Sequence, residues 1–504
     1  MAVYLGENEV GFNTTYGGIV PSGTYNITEN GTYDVTNYES AAVNVESSAS
    51  NLVKFIDYDG TILHSYSVSD FMALTTMPAN PTHSGLTSQG WNWSLADAKL
   101  YLTDYPEAEL TIGQMYITDD GKTRLYVHFE EGRLHPYLGI CPNGTIVVDW
   151  GDNSATSTLT GTSLATVQHA DHEYASAGDY IITLTVSSGS FAFYGVNNTS
   201  HILKKDTSTT ANIHRVYTNC LQKVEIGTSA SIGDYAFNYC YSLTNITIPD
   251  TVTSIGTYAF YFCYSLASIT IPNTVTSIET YVFYGCYSLA SITIPNTVTS
   301  IGTNAFYNCY SLVSVTIPGT VTSIGSGAFY NCYSLDSVTI LDGVTSIGTN
   351  AFVSCYSLTS ITIPDTMTSI GNGAFNGCRS LASIIIPGTV TSIEDSAFYN
   401  CFSLDSVTIL DGVTNIGNGA FYSCYSLASI TIPDTVTNIK ANAFSYCYGM
   451  AEYHFLSTTP PTLASTNVFY NIQSDCVIYV PQESLSAYKT ASNWSTYASY
   501  MVGE

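Results

Sequence analysis

Thirteen cysteines are the side chains of this chain with the widest chemical reach, because thiolates attack electrophiles, form disulfides and bind metals. Ten of them recur at one interval of 23 residues: Cys240, Cys263, Cys286, Cys309, Cys332, Cys355, Cys378, Cys401, Cys424 and Cys447. So regular an interval indicates a repeat rather than the disulfide framework of a short secreted chain. Unpaired cysteine is also among the residue types most often buried. We therefore predict one structural thiol per repeat, with metal ligation or redox chemistry as the alternative.

The segment around each cysteine repeats with the same period. From Leu243 to about Met450 it follows L-x-x-I-x-I-P-x-x-V-x-x-I-x-x-x-A-F-x-x-C-x-x, as in LTNITIPDTVTSIGTYAFYFCYS. L-x-x-I-x-I alternates as a β-strand, proline ends the strand, and the later apolar residues turn the chain back. One coil cannot bury its own phenylalanine, so neighbouring coils must stack at about 4.7–4.9 Å. The predicted fold class is mainly β, with a solenoid of 23-residue coils over residues 243–450 and columns of Phe and Cys inside it.

These repeats resemble leucine-rich repeats of the BspA (Treponema pallidum-like) type over about 210 residues, with the IP, AF and C motifs in register. The resemblance implies a protein that binds surfaces and ligands. Leu341 and Leu410 replace the proline in two segments that lie 69 residues apart, which indicates a duplication of three repeats. Because an open solenoid end exposes apolar side chains and strand edges, we expect a linker and an N-terminal cap over residues 201–242 and a C-terminal cap over residues 451–504.

Residues 113–200 carry a second pattern, VDWGDNS followed by H-x-Y-x-x-x-G-x-Y-x-I-x-L-x-V from His172 to Val186. It resembles the signature of PKD domains, and the resemblance implies an immunoglobulin-like β-sandwich with Trp150 in its core. We expect a tight turn at Gly178–Asp179. Asp149 and Asp152 are the acids that a calcium site would use, but both have structural uses in turns, and we predict no metal site there.

Asp57 and Asp59 follow an apolar strand in VKFIDYDGT. This segment resembles the first motif of haloacid-dehalogenase-like phosphatases, in which Asp57 would be the nucleophile and Asp59 the acid. Such enzymes also need a parallel sheet, a later lysine and an acidic pair that holds Mg²⁺. Lys99 and Asp119–Asp120 have the right order but lie too close together, and fewer than about 90 residues remain between this segment and the PKD-like segment. We favour a β-hairpin turn at Asp59–Gly60.

No other group of residues indicates catalysis, and we predict that the protein is not an enzyme and has no cofactor. Gly121-Lys122-Thr123 is not a phosphate loop, because Tyr116 stands where that loop needs glycine. Lys and Arg total 12 against 39 Asp and Glu, and a net charge of -27 disfavours nucleic acid and anionic membranes as partners. No run of 18 apolar residues occurs, so we expect no membrane insertion.

The N-terminal region resembles tail-associated proteins of phages that infect gut Firmicutes, through MAVYLGENEVG and GTYNITENGTYDVTNYESAAVNV. The resemblance implies a virion-attachment β module over residues 1–49, which contacts other virion tail proteins. A small α+β or β module then follows over residues 50–112. The start of the chain also lacks the basic and apolar regions of a signal peptide. This fits a virion protein, because such a protein is assembled in the cytoplasm, is released by lysis and needs no signal peptide.

The leading functional hypothesis is therefore a phage tail fibre, located in the virion, whose solenoid binds a host cell-surface glycan or protein. Fibres are often trimers, so a homotrimer is the expected oligomer. The first alternative is a bacterial cell-surface adhesin of BspA type. The second is a catalytic protein such as a glycan depolymerase, which turnover of purified cell-wall glycan would test.

The residue after each repeat cysteine is the candidate receptor contact. Aromatic faces at this position would stack on sugars or protein, and phenols would form hydrogen bonds. Arg379 interrupts the aromatic residues, and Lys440 is the other basic residue between Tyr241 and Met450. The structural alternative is a ladder in which each ring only covers its neighbour. The candidate receptor-binding residues are Tyr264, Tyr287, Tyr310, Tyr333, Tyr356, Arg379, Phe402 and Tyr425.

Overall fold

The structure is a computed structural model. It describes residues 3–5, 8–10, 52–56, 61–81, 86–91, 95–104, 110–118, 120–196, 199–200, 202–204 and 217–504. Two compact units are present, a smaller one drawn from segments of the first 112 residues and a larger one that contains residues 113–504. As predicted, the fold is mainly β. Among the described residues, no helix has both the length and the apolar character that a membrane span requires.

The N-terminal segments contain antiparallel strand pairs and two helices. Strand β1 (Val3–Leu5) pairs with β2 (Asn8–Val10), and β3 (Leu52–Ile56) pairs with β4 (Ile62–Ser67). Helix α1 (Val68–Ala73) begins after Ser67, whose hydroxyl accepts a hydrogen bond from the Asp70 amide at 3.1 Å. Helix α2 (Leu95–Asp104) follows β5 (Leu86–Trp91), and β5 pairs with residues 114–118 of β6 (Leu110–Thr118).

The described residues between 120 and 204 form an antiparallel β module. Its strands are β7 (Thr123–Phe129), β8 (Tyr137–Asp149), β9 (Ser157–Thr162), β10 (Gln168–Asp171), β11 (Gly178–Phe193), β12 (Gly195–Val196) and β13 (Thr199–Ser200).

The long strand β8 joins two pairings in this module. Its first part pairs with β10, and its second part pairs with β9 and β11. Trp150 at the end of β8 is buried, as predicted. The expected turn at Gly178–Asp179 is wrong, because the chain bends at residues 175–177 and these two residues begin β11. Gly178 and Asp179 pair with Phe129 and His128 of β7, so the ladder already includes these two residues.

Residues 217–504 contain a β-solenoid of about twelve turns with about 23 residues in each turn. Most coils have a first strand, a second strand and a turn, and the coils of Ile255 and Ile278 have an isolated bridge in place of the second strand. The first strands are β14 (Leu221–Glu225), β16 (Asn245–Thr247), β17 (Ser268–Thr270), β18 (Ser291–Thr293), β20 (Ser314–Ile317), β22 (Ser337–Ile340), β24 (Ser360–Thr362), β26 (Ser383–Ile386), β28 (Ser406–Ile409), β30 (Ser429–Ile432) and β32 (Glu452–Phe455). The second strands are β15 (Ala230–Ile232), β19 (Ser300–Ile301), β21 (Ser323–Ile324), β23 (Ser346–Ile347), β25 (Ser369–Ile370), β27 (Ser392–Ile393), β29 (Asn415–Ile416), β31 (Asn438–Ile439) and β33 (Thr462–Leu463).

Neighbouring coils pair in parallel and in register, so each repeat position becomes a column along the solenoid. The Phe and Cys columns are inside it, as the repeat predicts. Leu341 and Leu410, which replace proline, are about two-fifths exposed at 43% and 42%. Each donates its amide to the preceding coil, Leu341 to the Ile317 carbonyl and Leu410 to the Ile386 carbonyl, both at 3.0 Å. Proline has no such donor, so the strand ladder is one bond longer in these coils.

The antiparallel module covers the N-terminal end of the solenoid. Strand β14 pairs with β7, and β15 pairs with residues 191–193 of β11. The Phe193 ring lies 5.2 Å from Phe237 and extends the Phe column into the module. Strands β7 and β11 thus cover the edges of β14 and β15, which lie in and beside the N-terminal cap expected over residues 201–242.

The C-terminal end is closed by β34 (Val477–Val480), β35 (Met501–Gly503), helix α3 (Leu485–Thr490) and two 3-10 helices (Gln482–Ser484 and Trp494–Tyr500). Phe469 continues the Phe column at 5.8 Å from Phe444. Trp494 is buried beside Phe469, and its indole N–H donates to the Pro461 carbonyl at 2.7 Å.

Candidate binding surface

The turn of each coil carries the A-F-x-x-C motif and has two residues with a left-handed backbone, two positions before and two positions after Phe. Around Phe329 these are Gly327 (φ 61°) and Asn331 (φ 58°), residue types that enter this region most easily. Gly327 donates its amide to the Thr349 carbonyl at 2.9 Å, and Asn331 donates to Val353 at 2.8 Å. The turns are thus joined by backbone hydrogen bonds from coil to coil. We call the surface that they form the turn face.

The residues after the repeat cysteines lie on the turn face and stack along the solenoid. From Tyr241 to Tyr356 successive ring centroids are 4.5–5.0 Å apart with their planes within 16°. Phe402, Tyr425 and Tyr448 continue the stack with separations of 4.9 and 5.6 Å. The rings therefore cover one another, as the structural alternative predicts. All eight candidate receptor-binding residues belong to this one column, which we call the tyrosine column.

Arg379 takes the place of a ring in the tyrosine column. Its guanidinium carbon lies 4.3 Å from the Tyr356 ring centroid and 5.6 Å from that of Phe402. Guanidinium groups stack on aromatic faces through cation–π attraction, so the column is continuous through this position. The Arg379 side chain is exposed, and its N–H groups can reach an acceptor on a ligand.

The tyrosine column presents ring edges and hydroxyls to a ligand. Its rings are half-buried from Tyr241 to Tyr356, and Tyr425 and Tyr448 near its end are 42% and 49% exposed. Because neighbouring rings cover the faces, a sugar cannot stack on them within the column. Burial raises the pKa of the Tyr310 and Tyr333 phenols, so these groups stay protonated and can donate hydrogen bonds at neutral pH.

Sequence reasoning missed further aromatic columns on the turn face. Residues directly after Phe stack at 4.6–4.8 Å from Tyr261 to Tyr330, and Tyr399 stacks on Tyr422 at 4.5 Å. The left-handed positions of the first coils are also aromatic, beginning with Tyr235. A signal was present in the sequence, because these repeat positions are aromatic in some coils and mostly Asn, Gly or Ser in the others.

The cysteine column has a hydrogen-bonding role that its apolar character alone does not suggest. Each thiol from Cys263 to Cys447 donates to the carbonyl of the Phe that lies 26 residues earlier, as from Cys332 to Phe306 at 3.3 Å. Cysteine is small and apolar enough for the core and still satisfies a buried carbonyl. Burial raises the pKa of these thiols, which disfavours the reactive thiolate.

We expect the ten repeat thiols to resist a bulky thiol reagent in the native protein and to react together once denaturant opens the solenoid. They are at most 3% exposed, so the reagent cannot reach them in the folded state. Mass spectrometry of samples labelled with and without denaturant would count the modified cysteines. Rapid native labelling of most of the ten would contradict the structural role.

The two acids of the VDWGD motif are engaged in turns. Asp149 accepts a hydrogen bond from the Gly151 amide at 3.0 Å. Asp152 accepts from the Ser154 amide at 3.1 Å and lies 2.7 Å from Nε2 of His172, which stacks on Trp150. Among the described residues, no three His, Cys, Asp or Glu side chains are arranged to hold a metal ion.

We predict that the Asp152 carboxylate stabilises the fold and that this contribution is lost in acid. Burial alone would raise the pKa of Asp152, but hydrogen bonds with Ser154 and His172 lower it to about 2, from 3.8 in the unfolded chain. This contribution is fully present above pH 3.8 and is lost as pH falls toward 2. We expect Asp152→Asn to lower the melting temperature at neutral pH and to have little effect below pH 2, in thermal denaturation followed by circular dichroism. An equal difference at both pH values would contradict this assignment.

The other catalytic candidates are not supported by the described residues. Residues 57–60 of the DYDG segment and Asp119 lie outside the described residues. The strands on either side of that segment, β3 and β4, are antiparallel, whereas the phosphatase motif implies a parallel sheet. Lys99 donates to the Leu74 carbonyl at 2.6 Å, and Asp120 forms a salt bridge with Arg124. In the GKT segment, the Thr123 hydroxyl accepts from the Gly227 amide at 2.8 Å.

Residues 230–359 and 345–474 match the family model of the BspA type leucine-rich repeat region, in six copies. The chain belongs to the BspA-type leucine-rich-repeat family. A leucine-rich repeat protein from T. pallidum is 32% identical over 32% of this BspA-type chain and 78% of its own, with a TM-score of 0.30. A leucine rich cell surface protein from Faecalibacterium prausnitzii A2-165 is 29% identical over 54% and 94% of the two chains, with a TM-score of 0.32.

A leucine-rich repeat protein from Bacteroides ovatus ATCC 8483 is 23% identical over 62% of the BspA-type chain and 97% of its own, with a TM-score of 0.33. No curated protein matches the chain.

Proposed function

We propose that this BspA-type protein is a non-enzymatic adhesin that binds a cell-surface receptor through the turn face of its solenoid. The observation that carries the proposal is the tyrosine column, a rigid line of partly exposed phenols interrupted by the guanidinium of Arg379. Tyr and Arg are enriched among the residues that dominate binding energy. Stacked repeats also offer long continuous surfaces to a partner.

Charge restricts the receptor. Arg379 and Lys440 are the basic residues between Tyr241 and Met450, and the whole chain carries a net charge of -27. A strongly anionic receptor would be repelled, whereas a neutral receptor with a single acidic group would find its partner at Arg379.

The finer proposal is a phage tail fibre whose N-terminal region is held in the virion. Its support is the likeness of residues 1–49 to tail-associated proteins, and most of these residues lie outside the described ones. Contact with other tail proteins and assembly as a homotrimer belong to the same proposal. Family membership favours a second candidate, a bacterial cell-surface adhesin of BspA type.

Two measurements test these proposals. Fluorescent full-length protein should bind saturably to intact cells from a panel of gut Firmicutes and should release no product from purified cell-wall glycan. Absence of binding to every strain would reject the adhesive function, and turnover of the glycan would reject the non-enzymatic assignment. Immunogold labelling of purified virions and of the producing cells separates the two locations, since a tail fibre labels virions and an adhesin labels the cell surface.

A further inference from the structure

The first coils place bulky aromatic residues where the backbone is left-handed. Tyr235, Tyr258 and Tyr281 lie two positions before Phe with φ of 55–59°, and Tyr239 and Phe262 lie two positions after Phe with φ of 62° and 57°. Left-handed backbone costs more for such residues than for Gly or Asn. Apart from Tyr446, the later coils hold Asn, Gly or Ser at these positions, from Asn304 to Asn442 and from Gly285 to Ser423.

These residues join the other aromatic columns into one surface. Tyr258 lies 4.8 Å from Tyr235 and 4.6 Å from Tyr281, in parallel stacks. Phe262 contacts Tyr261 at 4.3 Å and Tyr264 at 5.4 Å, so adjacent columns meet side by side. We call the aromatic residues of the turns between Tyr235 and Tyr287 the aromatic field. Apart from the buried Phe column, all of its members are half-buried, and a wide patch of phenols and ring edges remains accessible.

Strained residues that gather on one surface, where the same repeat offers unstrained ones, indicate a function other than folding. The stacking of neighbouring rings covers their faces, so a sugar has no open face on which to stack within the field. What remains is a broad, rigid surface made mainly of Tyr with Ser and Thr around it, and Tyr and Ser are residue types that antibody paratopes use to bind proteins.

The charged residues of the aromatic field indicate which surface charge its partner carries. From Val224 to Cys378 the sequence contains no Lys, Arg or His, while Asp234 and Glu279 lie in the turns of the field itself. A partner with a neutral or basic surface is therefore complementary, and an acidic one is not.

We propose that the aromatic field is the docking site for a protein receptor with a neutral or basic surface. This inference rests on the adhesive function proposed above and names the class of its receptor and the part of the turn face that binds it.

The test replaces strained aromatic residues by the residue that later coils hold in the same columns. Full-length protein with Tyr258→Asn, Phe262→Asn and Tyr281→Asn is compared with a control, Tyr399→Asn with Tyr422→Asn, which removes stacked rings from the same face far from the field. We expect the field variant to keep its melting temperature and to bind intact cells at least about tenfold more weakly, as loss of a hot spot implies. The control should bind like the parent.

Treatment of the cells identifies the receptor class. Protease digestion of the cells should abolish binding of the parent, and periodate oxidation of their glycans should leave it unchanged. A folded field variant that binds like the parent would overturn the proposal, and so would binding that resists protease and is lost with periodate. If the triple variant unfolds, Tyr281→Asn alone gives the same comparison, because its column neighbour is already Asn304. A parent that binds no cells would instead reject the adhesive function itself.

Discussion

Replacing Phe329 by alanine is expected to lower the free energy of unfolding by about 3–5 kcal/mol, the range for large-to-small changes of aromatic residues in protein cores. Phe329 is fully buried, and its ring lies 5.1 Å from Phe306 and 5.2 Å from Phe352. Backbone hydrogen bonds between the turns hold the neighbouring coils in place, so the cavity cannot collapse. Denaturant unfolding of parent and variant, followed by circular dichroism, measures the difference.

The control for this change is Val313→Ala, which shortens a side chain that is 40% exposed in a neighbouring coil. It should change stability by less than about 1 kcal/mol, as surface substitutions do. Coincident unfolding curves for the Phe329→Ala variant and the parent would mean that the Phe column does not carry the core.

The triple change Tyr333→Ser, Tyr356→Ser and Arg379→Ser is expected to weaken attachment to cells by at least about tenfold while the fold stays intact. It removes two phenols and the stacked guanidinium from the middle of the tyrosine column, where the rings are half-buried and the core beneath is untouched. Adsorption of labelled protein to intact cells measures attachment, and circular dichroism verifies the fold.

A matched control changes the same region on a different face. Ser314→Ala, Ser337→Ala and Ser360→Ala alter three neighbouring first strands, β20, β22 and β24, whose serines form one in-register column. We expect this variant to adsorb like the parent. If it loses adsorption while the turn-face variant keeps it, the receptor site lies on the strand face. If both variants adsorb like the parent, the C-terminal cap is the next candidate.

The solenoid could be predicted because each packing constraint recurs in every coil. A Phe that must be buried by a neighbour, and a strand that must pair with its copy, appear in the sequence as a 23-residue period. The closure of the first coil by β7 and β11 could not be predicted in this way. Strands β7 and β14 pair across about a hundred residues of sequence, and nothing periodic connects them. The PKD-like assignment of residues 113–200 remains a prediction.

Parts of the candidate site were visible in the sequence and parts were not. One repeat position gave the tyrosine column, because the coil spacing places equivalent rings at stacking distance. The thiol hydrogen bonds could not be predicted from the sequence. The left-handed backbone of Tyr258 and Tyr281 could not be predicted from these residues either, because tyrosine alone does not indicate that conformation. Only the Asn and Gly at the same position of other coils, such as Asn304 and Gly327, indicate that conformation.

The central claim, that the turn face is the surface that meets the cell, is tested most directly by footprinting the full-length protein on intact cells. Hydroxyl-radical labelling followed by mass spectrometry compares the oxidation of each tyrosine in free and cell-bound protein. We predict protection of the turn-face tyrosines between Tyr235 and Tyr356, with unchanged oxidation of Tyr479 in β34 of the C-terminal cap. Protection at the cap or on the strand face, with turn-face tyrosines oxidised as in the free protein, would contradict the claim.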